Sequence, residues 1–284
     1  MVSKEIKKEA KNKLTNNYMT LVIINALFLL FTLACSYAIS SLTEIEKLKY
    51  LGSILSIIFI VFTYPFAYGI IASTIKKIRS EDVGITEFIN IGLKNFGKTW
   101  KVFFRTFLKL LIPLLIFVII TVLLIVAIII YSFASAFQIT ESSSAIEFIM
   151  KNPIIIILVI LYILDIIYLG LKSLYYSLTF FVLYDNNDKP SKEIVEESKK
   201  LMTGQRWNYI KLCLSFIGWY LLIGFITSLT GEIALNLDIP FSNTLPVIIN
   251  NIGSILLTPY ISVSTLVFYE NLKNNNTEPK KNNE

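Results

Sequence analysis

The chain has 284 residues, of which 55% are hydrophobic and only 16% charged, with a net charge of +6. Soluble domains carry roughly a quarter charged residues, so this balance excludes both an ordinary water-solvated globule and a disordered chain. No histidine is present, which removes the commonest general base and metal ligand. HExxH, CxxC, phosphate-loop and nucleophile-elbow patterns do not occur either, and neither an enzyme nor a cofactor or metal site is expected.

The elements follow from the length of charge-free sequence. A helix rises about 1.5 Å per residue, so roughly 20 apolar residues cross about 30 Å of hydrocarbon. Nothing ionisable lies between Lys13 and Glu44, Lys49 and Lys76, Lys109 and Glu141, Lys211 and Glu232, or Asp238 and Glu270. A sixth stretch, Pro153 to Tyr184, is interrupted only by Asp165 and Lys172, and Asn152-Pro153 reads as an N-cap followed by proline at the first helical position. Lipid offers no partner to an open strand edge, so the expected fold is an all-α polytopic membrane bundle of six spans. Cys35 and Cys213 fall inside spans and read as small buried residues rather than a disulfide. Thr32 stands where a lipoprotein cleavage site has an aliphatic residue, so the first span is expected to stay uncleaved.

Orientation follows from Lys and Arg in short loops. The stretch through Lys13 carries five, Lys76 to Lys109 eight, Lys189 to Arg206 five and the stretch from Lys273 three, whereas the opposite side has only Lys47, Lys49 and Lys151. Both termini are therefore expected inside a bacterial plasma membrane. The positive charge belongs to one face, and anionic lipid headgroups account for it better than nucleic acid. Another membrane protein is a further possible partner.

Internal matches divide the membrane domain, residues 1–272, into three similar units of about 1–80, 81–185 and 186–272, followed by a disordered polar tail at 273–284. Ser3-Lys4-Glu5-Ile6 recurs as Ser191-Lys192-Glu193-Ile194, with Glu9, Lys11 and Thr15 matching Glu197, Lys199 and Thr203. Gly97-Lys98-Thr99-Trp100 parallels Gly204-Gln205-Arg206-Trp207, and Thr63-Tyr64-Pro65-Phe66 resembles Thr258-Pro259-Tyr260, where a mid-helix proline should kink each span. Each unit reads as a cytoplasmic amphipathic helix followed by a helical hairpin.

In the second unit, Lys94, Lys98, Lys101, Arg105 and Lys109 share one side of a helix, opposite Leu93, Phe96, Trp100, Phe103, Phe104 and Phe107. That pattern suits a helix in the headgroup plane, its basic side binding lipid headgroups, with Trp100 and Trp207 as interfacial anchors. It suits equally a helix packed on the protein's own inner surface, since Gly92 and Gly97 allow close approach. The helix from Ser191 has Ser191 as N-cap, Gly204 just past its end and a narrow apolar stripe of Ile194, Val195, Leu201 and Met202, which places it on the bundle.

Charges inside a span cost about 2.5–3.5 kcal/mol on insertion scales and need partners. Asp165 and Lys172 lie two turns apart on one face, so a direct or water-bridged pair is feasible, with Tyr162, Tyr168, Tyr176 and Thr179 nearby as a possible polar lining. The pair reads as a structural device fixing helix register or, alternatively, as part of a substrate or proton path. Glu141, Glu147, Glu232 and Asp238 stand in the outer loops, where solvation is the expected role.

These segments resemble a known family. The start from Ser3 through Leu14, then Leu201-Met202-Thr203-Gly204-Gln205-Arg206-Trp207, Leu214-Ser215-Phe216-Ile217-Gly218-Trp219 and Thr258-Pro259-Tyr260, resemble the bacterial membrane family catalogued as domain of unknown function 975. The family usually has an Ile-Pro-Gly turn within the fourth span, where this chain has Tyr168-Leu169-Gly170. The resemblance implies a polytopic protein and no catalytic residues to carry over. The functional expectation is a non-enzymatic envelope, accessory or self-protection component; the alternative is a small transporter or channel with a polar path along the fourth span.

Overall fold

A computed structural model describes residues 3–136, 153–236 and 244–277. Every regular element among them is helical. Six helical stretches are long and apolar enough to cross a membrane: Tyr18–Glu44, Glu46–Ile78, Phe96–Phe133, Pro153–Asp185, Arg206–Asn236 and Leu245–Asn275. These are the six stretches expected from charge-free length. Asn152, Glu141, Glu147, Lys151 and Asp238 lie outside the described residues, as does the tail from residue 278.

In chain order the first hairpin comprises α1 (Ser3–Leu14), α2 (Tyr18–Glu44) and α3 (Lys49–Ile78). The second comprises α4 (Glu87–Lys94), α5 (Phe96–Ala136), α6 (Pro153–Ser173) and α7 (Thr179–Asp185). The third comprises α8 (Ser191–Met202), α9 (Arg206–Leu214), α10 (Ile217–Asn236) and α11 (Leu245–Thr277). By compactness the chain divides differently, into Met1–Val102 with Leu178–Glu284, and Phe103–Ser177.

Within the larger unit each short helix packs on the second span of the repeat before it. Helix α4 lies on α3, α8 lies on α7, and α1 returns across the whole sequence to lie on α11. The match between α1 and α8 is visible in what each helix buries. Ile6, Ala10 and Leu14 of α1 are buried, and so are Ile194, Ser198 and Met202 of α8, the same positions in the matched register. Side chains four apart share a helix face, so one stripe serves both contacts. On α4 the contact is backbone to backbone: a Cβ on Gly69 would stand 1.9 Å from the Phe88 carbonyl oxygen, and one on Gly92 would stand 2.8 Å from that of Pro65.

Four expectations need correction. The basic stripe does not form a separate helix in the headgroup plane: α4 ends at Lys94, and α5 runs from Phe96 without interruption through the span. No residue between Lys98 and Lys109 breaks a helix, so the cationic turn simply extends the span; its 41 residues make about 60 Å, twice the hydrocarbon thickness. Ser191 is the first helical residue of α8, and the N-cap position belongs to Pro190, whose extended ψ of 146° lets its carbonyl accept from Glu193 and Ile194. Helix α11 continues to Thr277, so Lys273 is helical rather than part of a tail. The fourth span breaks after α6, where a 3-10 turn at Leu174–Tyr176 interrupts it without proline. Gly204 does take the left-handed conformation expected past the end of α8, at φ 78°.

Candidate functional site

The residues singled out from the sequence separate in the structure. Asp165 is the one buried residue of α6, 8% exposed, and its Oδ2 has no hydrogen-bond partner. Lys172 does not pair with it: the ammonium lies 5.6 Å from the centroid of the Tyr168 ring. A cation over an aromatic face gains about 1 kcal/mol without the desolvation an ion pair requires. Tyr162 stacks on Phe117 at 5.2 Å, Tyr168 is exposed, and Tyr176 and Thr179 are each buried. Of the basic stripe, Lys94, Lys101, Arg105 and Lys109 are exposed and Lys98 is half-buried. Gly97 has open space beside it, so of the two glycines only Gly92 serves a close approach.

Trp100 has a more specific task than an interfacial anchor. Pro65 has no N–H, so the carbonyl of Val61, four residues earlier, loses its helical partner. The Trp100 Nε1–H donates to that carbonyl at 3.1 Å. The ring also packs beside Tyr64, with centroids 5.7 Å apart. Trp207 is 68% exposed.

Among the described residues, a dense polar constellation was not singled out from the sequence. It lies where the C-terminal ends of the three second spans meet, entirely within the larger unit. Asp185, at the end of α7, has a side chain only 5% exposed. Arg79 donates to it from Nη1 at 2.6 Å and Nη2 at 3.4 Å, Tyr269 from its hydroxyl at 2.9 Å, and Lys273 from Nζ. Arg79 also reaches Glu270 through Nε at 3.3 Å, and Glu270 accepts from Lys13 at 2.8 Å. Lys13 in turn pairs with Glu9 at 3.2 Å. The chain of charges therefore links α1, α11, α3 and α7.

The local structure explains the geometry. Arg79 is the C-cap of α3, and Ser80 follows it with φ 65°. Ser80 donates to Lys77 and Glu81 to Lys76, the paired bonds that close a helix C-terminus. This aims Arg79 across the face instead of along the helix. The Arg79 side chain packs over the Tyr184 ring at 5.6 Å, and Tyr184 donates to Glu81 at 3.3 Å. Burial disfavours the Lys13 ammonium, but its hydrogen bond and attraction to Glu270 outweigh this and push it above its ordinary 10.5. Each packed short helix carries one such pair: Lys13–Glu270 for α1, Lys76–Glu87 at 2.8 Å for α4, and Lys189–Glu197 at 3.0 Å for α8.

One signal in the sequence does point to this cluster. Arg79 and Lys273 each lie fourteen residues after a span proline, Pro65 and Pro259. They are therefore equivalent in the repeats, and both turn onto the one carboxylate contributed by the middle repeat. Among the described residues no group of His, Cys, Asp or Glu could hold a metal ion.

A family profile described as a protein of unknown function, DUF975, matches residues 1–276. No curated protein and no solved structure is significantly similar to the chain. With nearly the full length matched, the chain belongs to the DUF975 family.

Proposed function

We infer that this protein is a non-enzymatic scaffold or accessory component of the bacterial plasma membrane, with both termini and its three short helices on the cytoplasmic side. The observation that carries the reading is the Asp185 cluster. Its carboxylate receives Arg79, Tyr269 and Lys273, so the acceptor positions that a substrate or exchangeable proton would need are already used by the protein. A buried charge satisfied in this way fixes an arrangement of helices. Chemistry or transport would instead ask for an open, convergent set of polar groups.

A second reading, a transporter or channel, draws on Asp165, whose Oδ2 is bare and buried in α6. The two readings separate in a deletion strain complemented with Asp165→Asn combined with Lys172→Met. The scaffold reading expects full complementation wherever the double variant reaches wild-type levels in the membrane. Normal accumulation with lost complementation would overturn it in favour of a path through the fourth span. Failure to accumulate would remove the support for transport, since both residues would then be needed for folding.

A further inference from the structure

A second feature of the larger unit takes no part in the ionic cluster. Between α1, the start of α2 and the α10–α11 hairpin lies a cleft of about 800 Å³, within the usual range for a small-molecule site, roughly 300–1,000 Å³. It is held open by specific contacts. The Tyr18 hydroxyl donates to the Leu256 carbonyl at 2.9 Å, and the Tyr260 hydroxyl to that of Lys7 at 3.4 Å. Helices α10 and α11 close its far side where Gly253 allows the Ile223 side chain to approach; a Cβ there would meet it at 2.9 Å.

The lining is layered. At one end stand Lys7 and Lys11, one turn apart on α1 and just before the first span begins at Tyr18. From there the wall is apolar, running from Trp219 through Leu222 to Ile226 on α10 and back along Leu256 on α11. Seven helical residues from Trp219 to Ile226 make a depth of about 10 Å. All four of these wall residues keep 41% or more of their surface exposed. Among the described residues no carboxylate lines the cleft. Lys7 donates to the Ser215 carbonyl at 3.1 Å and lies 5.0 Å from the Phe216 ring centroid, which holds its ammonium in place while leaving two N–H groups to donate. Lys11 is exposed and directed to the same end.

Two cations at the level of the headgroups, with an apolar groove descending from them, match one class of molecule: an anion carrying a hydrocarbon chain. We propose that this cleft is a binding site for an anionic glycerophospholipid, its phosphate held by Lys7 and Lys11 and one acyl chain laid along α10 and α11. A zwitterionic lipid would bring its own cation toward two lysines with no acidic partner to receive it. A free phosphate would leave the apolar wall unused.

The test is native mass spectrometry of the full-length protein in detergent, titrated with phosphatidylglycerol or phosphatidylcholine of the same chains. Juxtamembrane lysines each favour anionic lipid enough for about fivefold, so the pair should give phosphatidylglycerol a preference of about thirtyfold. Lys11→Gln, which touches no partner needed for folding, should cut that preference about fivefold, and Lys7→Gln with Lys11→Gln should abolish it. Leu222→Trp should weaken both lipids alike by filling the wall. Lys199→Gln with Lys200→Gln on α8 should change nothing. Inorganic phosphate in excess should not displace the lipid; displacement would show a phosphate site only and overturn the proposal. Equal binding of the two lipids by the wild type, or an unchanged preference in Lys11→Gln, would overturn it as well.

Discussion

At the scale of single residues the decisive group is Asp185. Its side chain is almost fully enclosed, whereas its partners Arg79 and Lys273 are 31% and 45% exposed. Solvent therefore screens part of the attraction, and the cost of removing the carboxylate comes chiefly from withdrawing the one acceptor that Arg79, Tyr269 and Lys273 share. Asp185→Ala should lower unfolding stability by about 2–3 kcal/mol, measured by thermal or denaturant unfolding in detergent. Arg79→Ala should destabilise as well, because Arg79 spans both Asp185 and Glu270. An Asp185→Ala protein as stable as the wild type would show that the cluster is ornamental to the fold. The sequence does not announce this residue: Asp185 sits among Tyr184, Asn186 and Asn187 at the end of an apolar run, as any loop aspartate would. By contrast Asp165 and Lys172 stand out against their apolar neighbours, yet the structure leaves them apart, since spacing along one helix brings side chains to one face without deciding which neighbour each one prefers.

At the scale of elements, the prolines are the informative residues. The freed carbonyl was legible, because proline inside an apolar helix leaves the carbonyl four residues earlier without its helical partner. Which group would take up the freed carbonyl was not legible, because Trp100 lies thirty-nine residues from Val61. Trp100→Phe keeps an aromatic ring beside Tyr64 and removes the donor, so it should cost about 1–3 kcal/mol, chiefly through a part-buried carbonyl left unsatisfied. In a Pro65→Ala background residue 65 regains its own N–H, and the same Trp100→Phe change should cost markedly less. A double-mutant cycle with no coupling between the two sites would refute the assignment. The same logic accounts for the misjudged basic helix: 100° periodicity identifies a helix and its faces, but a helix lying on a membrane and one continuing into it have the same periodicity. What separates them is a breaker, and the one near the stripe is at Asn95, ahead of Lys98 rather than after Lys109.

At the scale of the whole molecule the return of α1 onto α11 is the step that joins the first repeat to the last. It rests on a small apolar stripe, Ile6, Ala10 and Leu14, all buried, and on the Lys13–Glu270 pair. Ile6→Asp should place an unpaired carboxylate against α11, cost several kcal/mol, and sharply reduce accumulation in the membrane. Lys4→Asp, an equal change of residue type on the exposed side of the same helix, should leave accumulation near normal. Quantitative immunoblotting of membrane fractions reads both. If Ile6→Asp accumulates like the wild type, the closure by α1 is dispensable. The correspondence of α1 and α8 was legible from Ser3-Lys4-Glu5-Ile6 and its recurrence at Ser191, and the matched burial of Ala10 and Ser198 shows why small residues recur there.

The sequence by itself determined the six membrane-length helices, since the thickness of hydrocarbon and the rise of a helix convert charge-free length directly into spans. It also marked α1 and α8 as matching helices, whose corresponding positions are buried alike. Only the tertiary structure decided the partners: Arg79, Lys273 and Tyr269 on Asp185, Trp100 on Val61, α1 on α11, and the cleft bounded by Lys7 and Lys11. Those contacts join residues from 39 to about 250 positions apart. Composition and periodicity set what each helix can bury; which surfaces meet depends on how the hairpins pack, and no local pattern contains that information.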